Sequence, residues 1–487
     1  MRSNEKYKHT SQKAWPFLLL ISLVWLAFFL LRLGGPPDLR AFDQERPASY
    51  VMDVVQNGHW ACQRDFQNNI SSKPPLYTWL AALTTISLGR ISRFSIYFPN
   101  ALAVLITACI IFFAGYRLFG QVDGCMAALF YIVSAPGLKQ LCLARTDPLF
   151  TMLVALAGVF AYRAWALQKS WTWFWLASAA ITLTKGPLGI IIAAGGLSAV
   201  FWERKDGNRL PFGGVQLPGI ILFLSITLTW FFLAYAACGK PFIDTMISRE
   251  LVGHAVGGYK DKIPLVGFYK PAFYFLTRFF PWSILSVMGF WRIWRRPAQD
   301  PNRRAAERFL FCYFFFGLAA LSLASHHRGD LMFPLVPAAS LAAGNMAARR
   351  FHFSTARSFL LPAAACAGIA LAATGAYYYF FRTDDAYVLA TCRLKHDAAQ
   401  IASLLGRGTR VEYVGTDYTL QFYLNLSQPW ITCGEAVRLM AMPDPIIIVA
   451  RSASQDTIRS YLAGMPVYVL FQSEDIVAIS NRPPAPI

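Results

Sequence analysis

Charge is what this sequence has least of. Only 15% of its 487 residues are Asp, Glu, Lys or Arg, where a soluble chain of ordinary composition carries about a quarter. The deficit argues against a soluble enzyme. Acidic residues are the scarcer kind, 26 against 45 basic ones, which leaves a formal net charge of +19. No glycine-rich nucleotide motif occurs, and the nine cysteines fall at no metal-ligand spacing. Internal repeats and low-complexity tracts are absent as well. That argues against the duplicated halves on which many transporters are built.

Apolar runs are what the chain has in abundance. Several are long enough to cross a bilayer, so the chain reads as a polytopic membrane protein. Its basic residues sit in short clusters between these runs, a pattern that orients a membrane protein and does not mark a nucleic-acid partner. The first run, 15–33, continues past the length of a signal-peptide core without a small-residue cleavage site, so it is expected to remain as a span. Arg2, Lys6, Lys8 and Lys13 before it place the N-terminus in the cytoplasm.

Further spans are expected at 95–116, 124–141, 148–167, 171–184 with 187–202, 215–237, 271–291, 309–324, 331–347 and 358–381. They give about 11 crossings, in a bundle of about 11–13 helices. Residues 75–88 are too short for a confident span and read as a re-entrant or interfacial helix. The strongest basic cluster, Arg292, Arg295, Arg296, Arg303, Arg304 and Arg308, then lies inside, and segments 34–94 and 238–270 lie outside. Residues 1–383 form the membrane domain. From 384 to 487 the composition changes, and four short strands at 410–415, 445–450, 467–472 and 475–480 alternate with helical stretches. The expected fold is a mainly α-helical polytopic membrane protein with a small C-terminal α/β domain outside the membrane. In that oxidising setting its two cysteines, Cys392 and Cys433, are expected to pair.

The most polar stretch of the N-terminal half is 43–79. Residues 44–56 read as a short amphipathic helix, with Asp43 placed to cap it and Gly58 to end it. Lys73-Pro74-Pro75 fixes an extended backbone, and a lysine held there suits a phosphate. The outer face also collects Glu45, Arg46, Arg145, Asp147, Lys185, Arg249, His254 and Arg328. Carboxylates and cations from distant stretches thus share one face, and ionisable groups at membrane depth are costly enough to need a reason.

Four motifs stand in order: Asp43-Gln44-Glu45-Arg46, Lys73-Pro74-Pro75-Leu76, Ala144-Arg145-Thr146-Asp147 and Leu183-Thr184-Lys185-Gly186-Pro187. In this order and setting the chain resembles the membrane glycosyltransferases of the protein O-mannosyltransferase superfamily, and most closely the bacterial lipid A aminoarabinose transferases. Phe280-Pro281-Trp282 and residues 325–337 look like that family too. The resemblance implies a GT-C fold and a sugar donor carried on polyprenyl phosphate, with transfer to lipid A or another glycolipid, glycan or protein on the outer face. It implies catalytic roles for Asp43, Asp147 and Glu45, and substrate binding by Arg46, Lys73, Arg145, Lys185, Arg249, His254 and Arg328. No cofactor is required by it, and a divalent metal ion stays open. Where the family generally has an acid before Lys-Pro-Pro, this sequence has Ser71-Ser72.

Plainer readings stand beside these. Asp43 and Asp147 could each be helix caps, Lys73 could snorkel at the interface, and Lys185 could mark a solvated turn. His254 and the pair His326-His327 read as polar loop residues before they read as metal ligands. A lipid-linked-sugar flippase and an inactive scaffold of the same fold are the competing functions. The polar groups gather in loops on one face and not at a midplane site between repeats, which favours the enzyme.

Overall fold

The computed structural model describes residues 14–207, 213–246, 267–324, 327–351, 356–405, 409–452 and 467–483. Among these, seven helices are long and apolar enough to cross a membrane, or eight if one bent pair counts as a span. Those seven are α1 (Trp15–Gly34), α4 (Arg93–Leu118), α7 (Asp147–Ala166), α11 (Leu217–Cys238), α15 (Pro301–Leu323), α16 (Val336–Arg350, extended by the tight turn Gly329–Leu335) and α17 (Ala356–Ala376, continued by Tyr377–Phe381). The chain is a multi-pass membrane protein.

The sequence-based expectation of about 11 crossings counts several shorter or broken helices. The run at 124–141 is two helices, α5 (Gln121–Val133) and α6 (Ala135–Leu141), bent by 66°. Ser134 caps the second of them through its hydroxyl, which accepts the Gly137 amide. The run at 171–202 breaks into α8 (Thr172–Lys185), α9 (Leu188–Gly195) and α10 (Ala199–Lys205). The run at 271–291 breaks before Trp282 into α13 (Lys270–Arg278) and α14 (Trp282–Arg295), after the single turn α12 (Lys240–Ile243). Pro281 lacks the amide that would carry the helix through. Helix α3 (Leu76–Leu88) has 13 residues, about 20 Å of rise against a hydrocarbon core of about 30 Å. It is too short to span unaided.

One end of the bundle carries the basic cluster Arg292, Arg295, Arg296, Arg303, Arg304 and Arg308. At that end Glu307 is held by Arg292 at 2.6 Å and Arg303 at 3.2 Å. Glu203 is held there by Arg308 at 2.7 Å and Arg304 at 3.7 Å. At the other end, α7 starts, α8 stops and α15 runs out. The polar loops converge there, between α1 and α2 (Glu45–Asn57), between α2 and α3, and after α6.

The C-terminal domain packs on that second end. Its helices are α18 (Ala386–Leu404), α19 (Tyr418–Leu424) and α20 (Cys433–Met440). Its strands, β1 (Arg410–Val414), β2 (Ile446–Arg451), β3 (Tyr468–Gln472) and β4 (Ile476–Ser480), form a sheet in the order β1-β2-β4-β3. The β1–β2 pair is parallel and the other pairs are antiparallel. Alternation along the strands sends Tyr413, Ile447 and Val449 to one face with Leu394 and Ala398 of α18. Val414, Ile446 and Ile448 go to the other face with Ala436 and Leu439 of α20.

That alternation overturns the expected Cys392–Cys433 bond. The helices carrying the two cysteines lie on opposite faces of the sheet, and both thiols are free, whereas a bridge needs Cα atoms within about 7 Å. The disulfide forms elsewhere, between Cys62 and Cys238, with Cα atoms 6.4 Å apart. It staples the α2–α3 loop to the end of α11. Trp230 and Phe242 pack beside it, with Leu76 against them. The tail is tied to the same loop. The Trp430 amide donates to the Phe66 carbonyl, Gln56 donates to Asn425 at 3.0 Å, and Arg40 pairs with Asp417. The tail and the 34–75 loops therefore share one side of the membrane.

Candidate active site

The loop after α1 is folded around Gln44. Its buried amide donates to the carbonyls of Asp38 at 3.1 Å and Ala41 at 3.0 Å, and its side-chain oxygen accepts the amide of Ala144. One glutamine thus fixes the α1–α2 loop to the α6–α7 loop. Below it, Asp38 is buried against Arg382 at 3.2 Å and Arg32 at 3.8 Å. The turn is tight enough to force Phe42 and Asp43 into left-handed backbone, with φ of 62° and 56°. Aspartate tolerates that region and phenylalanine resists it. The Phe42 ring lies against the Lys139 ammonium at 4.0 Å and the Arg382 guanidinium at 5.5 Å.

Asp43 does not cap α2. The capping position belongs to Gln44, and no side chain bonds the first turn. The Asp43 side chain is instead 80% exposed, with Arg328 at 3.6 Å as its ion partner. Among the described carboxylates of this cluster it alone faces open space.

Asp147 is the opposite case. It opens α7 at 2% exposure, with Lys185 bonded to one oxygen and Arg145 at 3.3 Å from the other. Lys185 ends α8, where Gly186 takes a positive φ of 92° to turn the chain away. Asn100 on α4 donates to the Arg145 carbonyl at 2.7 Å and so holds the loop from behind. Neither plain reading, a bare cap for Asp147 or a solvated turn for Lys185, describes this pair.

A third carboxylate, Asp330, ties the rest together. It lies 2.8 Å from Lys139, 3.3 Å from Arg145, 3.5 Å from Arg278 and 3.8 Å from Arg328. Lys139, Arg145, Lys185, Arg278 and Arg328 thus face Asp43, Asp147 and Asp330. Among the described residues the cations of this cluster thus outnumber its carboxylates by two, beside the one exposed carboxylate. Such a cluster attracts an anion of phosphate type. It suits a divalent cation poorly, since each carboxylate is already faced by lysine or arginine. Among the described residues, no three His, Cys, Asp or Glu side chains converge as metal ligands would.

The cluster brings together Asp43, Arg145, Asp147, Lys185 and Arg328 from the sequence-based set and leaves others apart. Glu45 faces the C-terminal domain, where its carboxylate accepts the Thr419 hydroxyl at 3.0 Å. Burial and the nearby Asp417 charge raise its pKa above the usual glutamate value. Arg46 pairs with Asp65 at 3.5 Å, away from the cluster. Their sequence neighbourhood with Asp43 suggested a shared site, but helix α2 turns both toward the tail. Lys73 is half-buried, and the Ser71 hydroxyl donates to its carbonyl. Its stretch runs alongside the end of α8, because Leu76 and Leu183 belong to one apolar cluster. Arg249, His254 and His326 lie outside the described residues. Lys139, Arg278 and Asp330 were missed. The available signal was a charged residue standing in or beside an otherwise apolar run.

Residues 72–232 match the family model described as dolichyl-phosphate-mannose-protein mannosyltransferase. The chain is 26% identical over 317 residues to an uncharacterised protein of Aquifex aeolicus, covering 64% of this chain and 69% of that one. Its fold is similar to the crystal structure of ArnT from Cupriavidus metallidurans bound to undecaprenyl phosphate. The TM-score is 0.74 at 15% identity, over 97% of this chain and 99% of that one. The apo form of the same protein matches with a TM-score of 0.70 at 16% identity, over 96% and 98%. The chain is thus a multi-pass membrane protein with a GT-C fold, resembling ArnT in architecture across nearly its whole length.

Proposed function

We propose that this protein is a glycosyltransferase that moves a sugar from a polyprenyl-phosphate carrier to an acceptor at the membrane surface. The observation that carries the reading is the cluster around the exposed Asp43 carboxylate, in which the described cations outnumber the described carboxylates by two. The matched ArnT structure, which holds undecaprenyl phosphate, supports a carrier of that chemistry. The mannosyltransferase family match supports the reaction class.

Lys139, Arg145, Lys185, Arg278 and Arg328 seat the donor phosphate, with Lys73 reaching it from the neighbouring loop. Asp43 takes the proton of the acceptor hydroxyl as its oxygen attacks the anomeric carbon. The bond from that carbon to the phosphate oxygen breaks, and polyprenyl phosphate leaves with the electron pair, its negative charge met by the cations. Attack opposite the leaving group inverts the anomeric centre. Asp147, buried and paired, holds Lys185 and Arg145 in place and is not free to act as the base. This division keeps Asp43 as a catalytic residue and departs from the catalytic roles expected for Asp147 and Glu45.

The basic end of the bundle faces the cytoplasm by the positive-inside rule. The site and the C-terminal domain then lie on the outer face of the cytoplasmic membrane, an oxidising location that suits the Cys62–Cys238 bond. The acceptor is a lipid A-like glycolipid, a glycan or a protein. Mass spectrometry of lipid extracts from cells with and without the gene tests the proposal. Loss of the gene should make one polyprenyl-phosphate sugar accumulate while one surface modification disappears. Identical extracts would refute it.

A further inference from the structure

Asp330 is an odd resident for an anion site. It is a carboxylate set among the very cations that would grip a phosphate, only 8% exposed, and it repels any incoming anion. Its four partners fall into two kinds. Lys139 and Arg145 are close, at 2.8 and 3.3 Å, and largely covered, at 20% and 16% side-chain exposure. Arg278 and Arg328 are farther, at 3.5 and 3.8 Å, and nearly half exposed, at 43% and 44%. Arg328 is shared with Asp43, which it approaches at 3.6 Å.

We infer that Asp330 is a positioning residue that serves as the resident counter-ion of the phosphate seat. Lys139 and Arg145 stay on it throughout, while Arg278 and Arg328 exchange between it and the ligand phosphate. In the empty site Asp330 keeps the two loose guanidiniums gathered, which lowers the reorganisation needed when the phosphate arrives. After transfer it competes for them, which weakens the hold on polyprenyl phosphate and assists its release. Transfer of Arg328 to the phosphate also uncovers Asp43 at the moment a free carboxylate is needed there. Arg278 lies at the end of α13, and its guanidinium covers the Tyr274 ring at 4.9 Å. It also packs so closely on Gly329 that a side chain there would strike it at 2.2 Å. Gly329, lacking a side chain, thus leaves room for this guanidinium beside Asp330.

This inference rests on the reading of the cluster as the donor-phosphate seat, and one titration separates the two. Undecaprenyl phosphate is titrated into the purified full-length protein in detergent, for wild type, Asp330→Asn, Asp330→Glu and Arg278→Gln, with the melting temperature of each recorded. Removing the competing charge should make Asp330→Asn bind roughly tenfold tighter, since charges this close interact strongly in a partly buried site. Asp330→Glu, which keeps the charge, should stay near wild type, and Arg278→Gln should bind more weakly. A residue that merely supported the fold would give the reverse sign, with Asp330→Asn weaker and less stable. Equal or weaker binding by a folded Asp330→Asn overturns the counter-ion role while leaving the donor reading intact. If that variant does not fold, unchanged binding by Arg278→Gln overturns it instead. Absence of any binding by wild type overturns the donor reading itself.

Discussion

Replacing Asp147 with asparagine keeps the shape of the side chain and removes its charge, so its consequences follow from what the two neighbouring cations lose. Asp147 is 2% exposed, and Lys185 and Arg145 are 15% and 16% exposed, so solvent screens this group weakly. Removing one partner of a buried ion pair costs about 3–5 kcal/mol, because the remaining charge stays desolvated and unmatched. Arg145 retains Asp330 at 3.3 Å, while Lys185 keeps only the Phe150 ring at 5.5 Å among its described cation partners. The cost therefore belongs near the lower end of that range, about 3 kcal/mol. Asp147→Asn should lower the melting temperature of the purified protein by several degrees and abolish transfer. The double variant Asp147→Asn/Lys185→Gln should recover much of the stability, since no buried charge is then left alone, yet stay inactive. Wild-type melting and turnover in Asp147→Asn would refute the view that this carboxylate anchors the cation cluster. So would a double variant no more stable than the single one.

Other consequences are as direct. Glu45→Gln should retain turnover within a few-fold, because its carboxylate faces the tail. Its raised pKa means that the folded state holds a proton longer than the unfolded one. Wild-type stability therefore falls as pH rises from the ordinary glutamate value of 4.5 through the raised value. Glu45→Gln should be the more stable protein at neutral pH, and the two melting curves should converge at lower pH. A Glu45→Gln protein less stable at pH 8 would contradict this. Cys62→Ser should cost about 2–5 kcal/mol, the usual range for a lost native disulfide. Non-reducing peptide mapping should find Cys62 linked to Cys238, with Cys392 and Cys433 freely alkylated. Cysteine-accessibility labelling should place residues 292–308 on the cytoplasmic face and the tail on the other, and a shared face would overturn the orientation.

Much of the fold could be read from the sequence, for reasons visible in particular elements. The four tail strands lie within about a residue or two of their expected bounds, because β-branched apolar runs broken by polar turns leave little choice. The helix after Gln44 ends at Gly58 with the left-handed backbone that glycine supplies. The motif loops were legible because charge stands out between apolar runs. What could not be read was which distant groups meet. Lys139 and Asp330 are 191 positions apart, and Cys62 and Cys238 are 176 apart. Cys392 and Cys433 looked like partners by domain, but strand alternation puts a sheet between them. Asp43 looked like a cap until the backbone turned left-handed and swung it outward. Arg46 and Glu45 show the same lesson in reverse: residues adjacent to a site along the chain are carried away from it by one turn of helix.

The central claim is that Asp43 is the base of a transfer from a polyprenyl-phosphate sugar, and one comparison addresses it directly. Cells lacking the gene are complemented with wild type or with Asp43→Asn, the membrane level of each protein is checked, and the lipid extracts are compared by mass spectrometry. Asp43 is exposed, and its ion partner among the described residues is the nearly half-exposed Arg328, so the variant should insert and accumulate like wild type. General-base removal should cost about 100- to 10,000-fold in rate. The extract should therefore match that of the deletion, with the carrier-linked sugar accumulated and the surface modification missing. Restoration of the modification by Asp43→Asn would contradict the account.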